Sequence, residues 1–87
     1  LLGSMTAEQR LAAFLLSLSR RYKGLGYAAD RFVLRMTREE IGNYLGLTLE
    51  TVSRLLSRFT REGFIAVHQR DVEILGKDRL MEMVGHW

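Results

Sequence analysis

Residues 37–56, "TREEIGNYLGLTLETVSRLL", have the pattern of two short helices joined by a turn. Thr37 and Thr48 each precede helix-favouring residues, and a threonine in that position caps the exposed backbone N–H groups of a first turn. Glu40 stands three residues after Thr37, which is the spacing of a capping box. Gly46 lies between the two segments, where a left-handed backbone favours glycine. The stretch therefore predicts two capped helices around a glycine turn.

The second helix of this pair is predicted from Leu49 to about Glu62, because Gly63 suits the position just beyond a helix end. Its residues divide at helical spacing into two faces. The apolar face consists of Val52, Leu55, Leu56 and Phe59, and the polar face of Glu50, Ser53, Arg54, Ser57 and Arg61. Solvated helix faces favour lysine–glutamate pairs, whereas this face sets short hydroxyls beside arginines. The alternative interpretation is that this polar face is simply the solvent-exposed side of an ordinary surface helix.

The flanking segments predict the remaining elements. A capping-box pattern and recurring apolar residues predict a first helix over 7–22, followed by a brief strand at 32–36. Alternating apolar residues on either side of "HQRD" predict a β-hairpin, and "GKDRLMEMVGHW" a short final helix. The positions behind these expectations are Thr6, Gln9, Leu11, Phe14, Leu15, Leu18, Tyr22, Ile65, Val67, Val72, Ile74, Leu80, Met83 and Val84.

This order of elements predicts an α+β fold, mostly α: a winged helix-turn-helix with a small β-hairpin wing. Such a pair of helices must bury a fixed set of apolar positions against each other and against the first helix. Suitable residues occupy those positions here, and Gly42 is small where the second helix of the pair crosses closely. The positions are Ile41, Leu45, Leu47, Val52 and Leu55, with Tyr44 on the same face as Ile41 and Leu45.

The composition excludes several classes of site. The chain of 87 residues has no cysteine, so it carries no disulfide or thiolate metal site, and His68 and His86 are too far apart in sequence to favour a metal centre. No paired carboxylates, Ser/His/Asp set or phosphate-binding glycine loop can be assembled, so no enzyme is expected. No apolar run reaches membrane-spanning length and nothing resembles a signal peptide, so a cytoplasmic location is expected.

The positive charge is concentrated in one segment. Residues 31–61 hold six arginines and three glutamates, and this excess equals the net charge of +3 of the whole chain. Arginine is the side chain best suited to bidentate contacts with phosphate and guanine. A chance distribution of surface charges is the alternative.

Residues 36–59, "MTREEIGNYLGLTLETVSRLLSRF", resemble the C-terminal DNA-binding domain of the CRP/FNR superfamily of bacterial transcription regulators, and especially its FNR branch. The likeness extends over "AEQRLAAFLLSLSRRY" and "GFIAV", hence nearly the whole chain. It implies sequence-specific binding of double-stranded DNA, with helix 49–62 in the major groove. It also implies that the chain is one winged helix-turn-helix domain, 1–87, of a longer regulator whose sensory domain is absent.

The resemblance implies which residues read DNA. The FNR-branch pattern of Glu, two residues, then Ser-Arg is present as Glu50, Ser53 and Arg54, which implies reading of a TTGAT-like half-site. Leu49 and Ser53 replace the arginine and glycine of the cyclic-AMP receptor branch, which argues against a TGTGA-type preference. Candidate contacts to the DNA backbone are Arg38, Thr48, Thr51, Ser57, Arg58, Arg61, His68 and Arg70.

The resemblance also implies partners and cofactors. Loop Arg21–Asp30 occupies the position of the family's contact with RNA polymerase, although a bare connector is the alternative. The full-length protein is expected to be a homodimer, without membrane association. No cofactor is expected in this chain, whereas the sensory domain of its relatives can carry an iron–sulfur cluster. A winged helix used as a protein-interaction module is the main alternative function.

Overall fold

Four helices and three short strands make up the described part of the chain in this computed structural model, which covers residues 4–24, 26 and 30–85. The order of helices and strands confirms the predicted winged helix-turn-helix fold. The elements are α1 (Ala7–Gly24), β1 (Arg31–Val33), α2 (Arg38–Leu45), α3 (Leu49–Arg61), β2 (Ile65–His68), β3 (Asp71–Ile74) and α4 (Lys77–Val84).

The caps of the helix-turn-helix unit form as predicted. The Thr37 hydroxyl accepts a hydrogen bond from the Glu40 backbone N–H at 3.1 Å, and the Glu40 carboxylate accepts one from the Thr37 N–H at 2.8 Å. The backbone N–H of Gly46, at φ +73°, donates to the Gly42 carbonyl and ends α2. A left-handed backbone of this kind strains residues that carry a Cβ. These local bonds set the short connection between α2 and α3.

Gly42 is required by the turn itself rather than by the body of α3, which corrects the sequence expectation. A Cβ atom at this position would lie 2.5 Å from the Leu47 carbonyl oxygen and 3.4 Å from the Thr48 carbonyl carbon. The Leu47 N–H also donates to the Gly42 carbonyl at 2.7 Å, so the turn folds back onto α2. Glycine therefore permits a backbone-to-backbone approach that no other residue allows.

Replacing Gly42 by alanine is expected to lower the free energy of unfolding by about 1–3 kcal/mol, as overpacking against a rigid backbone does. The loss is expected although alanine ordinarily stabilises a helix interior by about 0.5–1 kcal/mol relative to glycine. Urea denaturation measures it. Gly24→Ala is the matched control, because Gly24 ends a helix and an added Cβ there meets nothing within 4 Å. Equal stability of the two variants would contradict the close approach.

The end of α3 directs the chain into the wing. The Phe64 N–H donates to the Phe59 carbonyl at 2.9 Å and the Gly63 N–H to the Thr60 carbonyl at 3.1 Å, with Gly63 at φ +78°. This pair of bonds is a Schellman motif, and the edge-to-face contact of Phe59 with Phe64 is the hydrophobic contact that usually accompanies it. The predicted stop at Gly63 is confirmed, and it places β2 directly after α3.

The wing is a three-stranded antiparallel sheet in the order β1-β3-β2, larger than the predicted hairpin because β1 joins it. Ile65 pairs with Ile74 and Val67 with Val72, so the predicted hairpin faces are confirmed. The first strand is Arg31–Val33 rather than 32–36. It ends there because its partner β3 begins at Asp71, opposite Val33.

Helix α1 and the sheet enclose the core together with the inner faces of α2, α3 and α4. The predicted inner face of α3 is buried, with Val52 and Phe59 fully inaccessible. Two expectations were wrong in part: Tyr44 is 68% exposed although it contacts Phe14, and Leu47 is only partly buried. Helix α1 runs two residues beyond its predicted end, to Gly24.

Candidate nucleic-acid interface

The outer face of α3 presents its polar side chains away from the core. Glu50, Arg54, Ser57 and Arg61 are exposed and Ser53 is half-buried. Within residues 4–24, 26 and 30–85, no hydrogen bond or ion pair engages the side chains of Glu50, Arg54 and Arg61. The predicted outer face is therefore confirmed as a surface, and its charged groups are available to an external partner.

The first turn of α3 carries a pair of linked hydroxyls. The Thr48 Oγ1 accepts a hydrogen bond from the Thr51 N–H at 3.1 Å and lies 2.9 Å from the Thr51 Oγ1. One hydrogen bond joins the two hydroxyl groups, so the pair keeps one hydroxyl hydrogen for an outside acceptor. A phosphate oxygen beside a helix N-terminus is an acceptor of that kind.

Three arginines from different elements border two adjoining grooves. Arg38, at the start of α2, and Arg61, near the end of α3, line an open groove beside the wing with Ser57 and Thr60. Arg38 also lines a second groove, which reaches Arg70 in the wing turn. These three arginines, here called the cationic border, therefore line adjoining grooves between α3 and the wing turn, where a phosphate backbone could contact them.

The tip of the wing is a two-residue turn between β2 and β3. Gln69 adopts φ +57° and Arg70 completes the turn, which resolves the loop that the sequence left open. His68 is the last residue of β2 and pairs with Asp71 across the hairpin. All of these side chains are exposed, so the predicted backbone contacts His68 and Arg70 lie on the surface.

Arg58 differs from the other predicted DNA contacts because its guanidinium is already engaged. Its Nη1 lies 2.8 Å from Glu8 Oε1 in the first turn of α1, and its Nε lies 3.4 Å from Glu62 Oε1. The hydrogen bond that Arg58 donates to Glu8 and the negative charge of Glu8, followed by the hydrogen bond to Glu62 and its charge, raise the pKa of Arg58 above its ordinary value. A phosphate contact by Arg58 stays a prediction, and these ion pairs favour a role within the protein.

Sequence reasoning missed Glu8 and Arg10 of α1. Arg10 Nη1 donates to the Leu45 carbonyl at 3.1 Å, where α2 ends. Neither contact leaves a signal in the sequence, because each joins residues far apart in the chain. Helix α1 is therefore bonded to both helices of the helix-turn-helix unit.

The expected polymerase-contact loop, Arg21–Asp30, is described only in part, because its residues 25 and 27–29 lie outside the described residues. Arg21 belongs to α1, and the Gly26 N–H donates to the Lys23 carbonyl at 3.1 Å. At the other end, the Asp30 carbonyl accepts from the Ile74 N–H, and its carboxylate lies 3.2 Å from Lys77 Nζ. Both described ends of this loop are thus fixed to regular structure.

Clusters of metal-binding side chains and membrane-spanning helices are both absent from the described part of the chain. No cluster of three or more histidine, cysteine, aspartate or glutamate side chains suits a metal ion among residues 4–24, 26 and 30–85. His86, considered in the sequence, lies outside these residues. No helix in the same part of the chain has the length and apolar character needed to cross a membrane.

Comparison with known proteins identifies relatives along nearly the whole chain. Residues 9–83 match the family model described as the Crp-like helix-turn-helix domain. The chain is 64% identical over 83 residues to the transcriptional regulatory protein btr of Bordetella pertussis, covering 95% of this chain and 34% of that protein. It is 50% identical over 86 residues to the fumarate and nitrate reduction regulatory protein of Escherichia coli K12, covering 99% and 34%. The chain thus spans about a third of the length of these curated relatives.

Solved structures give the same result. FixK2 from Bradyrhizobium japonicum superposes with a TM-score of 0.84 at 42% identity, covering 95% of this chain and 40% of that one. The catabolite activator protein of Thermus thermophilus superposes with a TM-score of 0.71 at 33% identity, covering 91% and 34%. The resemblance to CRP/FNR regulators is confirmed, and the chain belongs to the Crp-like helix-turn-helix domain family.

Proposed function

We propose that this chain binds double-stranded DNA in a sequence-specific manner, with α3 in the major groove at a TTGAT-like half-site. It would be the effector end of a transcription regulator of the CRP/FNR type. One observation carries the proposal. The outer face of α3 holds charged and hydroxyl side chains that have no partner within the described residues, while its opposite face is fixed in the core.

The base-reading roles follow from the chemistry of three residues. Arg54 would donate two hydrogen bonds to guanine O6 and N7, and Glu50 would accept one from cytosine N4. Ser53, between them on the helix, is short enough for the helix to come close to a base edge and can contact thymine. Glu50 and Ser53 lie in the N-terminal half of α3, which is the part of a recognition helix that reaches bases.

Contacts to the DNA backbone would position the helix without reading sequence. We assign them to the cationic border, to Ser57 in the same groove, to the two threonines in the first turn of α3 and to His68 in the wing, because each lies on or beside the elements that carry the base-reading residues or line the grooves. The residues are Arg38, Thr48, Thr51, Ser57, Arg61, His68 and Arg70. Arg58 is left out because its guanidinium already forms ion pairs with Glu8 and Glu62.

Fluorescence anisotropy with two labelled duplexes of equal length tests the proposal. One duplex contains TTGAT and the other has the same base composition in scrambled order. We expect tighter binding to the first, with both affinities falling as salt rises, because phosphate contacts release counterions. Equal binding to both duplexes would contradict sequence reading. Absence of salt-dependent binding to either would favour the alternative of a protein-interaction module.

Arg61→Ala is expected to weaken binding to both duplexes by the same factor, because a phosphate contact carries no sequence information. The slope of log affinity against log salt should become shallower by about 0.9, the value for one lost phosphate contact. Salt titrations of the variant and the parent chain measure this. Arg79→Ala is a suitable control, because Arg79 is also exposed but does not line the two grooves, and its guanidinium stacks on Phe64 and donates to the Glu62 carbonyl. A change confined to the TTGAT duplex would instead make Arg61 a base-reading residue.

Three further features of the longer protein belong to the same proposal. A homodimer would place two copies of α3 on half-sites about one helical turn apart. Residues 21–30 would be the surface that contacts RNA polymerase, since α1 and the sheet hold the described ends of this loop. A regulator of this kind would act in the cytoplasm, at the nucleoid.

A further inference from the structure

We infer that Arg58 is a positioning residue: through Glu8 it holds α3 at the angle to α1 that sequence reading requires. The inference rests on the proposed function and deepens it. It assigns to Arg58 a role different from the phosphate contact expected from the sequence. Glu8 becomes part of the recognition apparatus although it lies on another helix.

The direction in which Arg58 projects is the first support. The inner face of α3 is buried and its outer face is solvent-exposed, whereas Arg58 is intermediate in exposure and lies on the flank between them. That flank faces the start of α1, where Glu8 Oε1 lies 2.8 Å from the Arg58 Nη1. A charge-assisted hydrogen bond is stronger than a neutral one, so this bond restrains the angle between α3 and the start of α1.

The second support is that Arg58 is held from two sides. Glu62 Oε1, one turn further along α3, lies 3.4 Å from the Arg58 Nε. Glu62 thereby orients the guanidinium on its own helix while the same group bonds to Glu8. Glu8 and Glu62 take two of the five N–H donors of the guanidinium and offset its charge, whereas no carboxylate pairs with the arginines of the cationic border among the described residues.

The third support comes from α2. Arg10, two residues after Glu8, donates to the Leu45 carbonyl, so the first turns of α1 hold the end of α2 as well as the flank of α3. The two bonds therefore join both helices of the helix-turn-helix unit to the same short segment at the start of α1. The glycine turn sets the separation of α2 from α3, and the buried face of α3 sets which side of the helix points outward. The contact at Arg58 restrains what remains, the angle of α3 to α1.

A double-mutant cycle tests this inference on DNA. Glu8→Gln, Arg58→Gln and the double variant are compared for affinity to the TTGAT and scrambled duplexes. Glu73→Gln is the matched control, because this substitution removes the same charge from an ion pair elsewhere, the pair of Glu73 with Arg31 in the sheet. We expect each single variant to reduce the TTGAT-to-scrambled affinity ratio about threefold, a size typical of half-exposed ion pairs. The double variant should be no worse than either, and the salt slope should stay unchanged.

A phosphate contact gives the opposite result for Glu8→Gln. Freeing Arg58 would then strengthen binding to both duplexes, and Arg58→Gln would make the salt slope shallower by about 0.9. That pattern would overturn the inference. An unchanged affinity ratio in Glu8→Gln would overturn it as well, because the angle of α3 would then not depend on the ion pair.

A measurement without DNA separates this inference from the proposed function. Residual dipolar couplings of backbone amides report the angle between α1 and α3 in the free chain. We expect Glu8→Gln to change that angle and Glu73→Gln to leave it unchanged. If the parent chain shows no preference for TTGAT, the proposed function fails and the couplings alone decide the inference. Identical couplings in all variants would overturn it.

Discussion

Arg54→Ala is expected to reduce binding to a TTGAT duplex by about 1–3 kcal/mol, the value of one bidentate guanine contact. The physical reason is that Arg54 is exposed at the centre of the outer face and has no partner among the described residues. Its loss should also relax the preference at one base pair. Anisotropy titrations against duplexes in which the guanine–cytosine pair is changed measure both effects.

Arg54→Lys provides the control for charge. Lysine keeps the positive charge but lacks the planar fork that matches guanine O6 and N7. Binding to scrambled DNA should therefore be retained, while the preference for guanine declines. If Arg54→Ala instead weakens binding to TTGAT and scrambled duplexes equally, Arg54 contacts phosphate and the assignment of base readers must be changed.

Phe59→Ala is expected to lower the free energy of unfolding by about 3–5 kcal/mol, as deletion of a buried aromatic ring does. Phe59 is fully buried on the inner face of α3, and its ring also contacts Phe64 in the Schellman motif that ends the helix. The variant therefore loses core packing and the fixed exit into the wing. Since the free energy of unfolding of small domains is only about 5–15 kcal/mol, the variant should lose a large share of it.

Urea denaturation followed by circular dichroism measures this loss. Tyr44→Ala is the matched control, because it deletes an aromatic ring that is 68% exposed. We expect the control to change the free energy of unfolding by less than about 1 kcal/mol. Losses of the same size in both variants would mean that Phe59 does not anchor α3 in the core.

Local features of the helix-turn-helix unit were predictable because they depend on residues close together in sequence. The capping box of Thr37 and the left-handed Gly46 involve neighbours within a few positions, and the two faces of α3 follow from helical periodicity. Long-range features were not predictable. The pairing of β1 with β3 joins residues about forty positions apart, and nothing in "RFVLRM" specifies that partner.

The candidate site shows the same division. Its outward-facing residues could be identified from the period of α3 and from the family pattern, and the structure leaves Glu50 and Arg54 exposed. The pattern could not distinguish Arg58 from the neighbouring arginines. Only the packing of α1 against α3 brings Glu8 to within 2.8 Å of it.

The sequence by itself thus determined the capped helices, the turn between them and the composition of the exposed face, because caps, glycine conformations and periodicity are local. Tertiary structure decided which of the cations remain available to a partner and which hold the protein together. Ion pairs between distant residues arise only when the core has packed, and the buried face of α3 fixes the direction in which every polar residue of that helix projects.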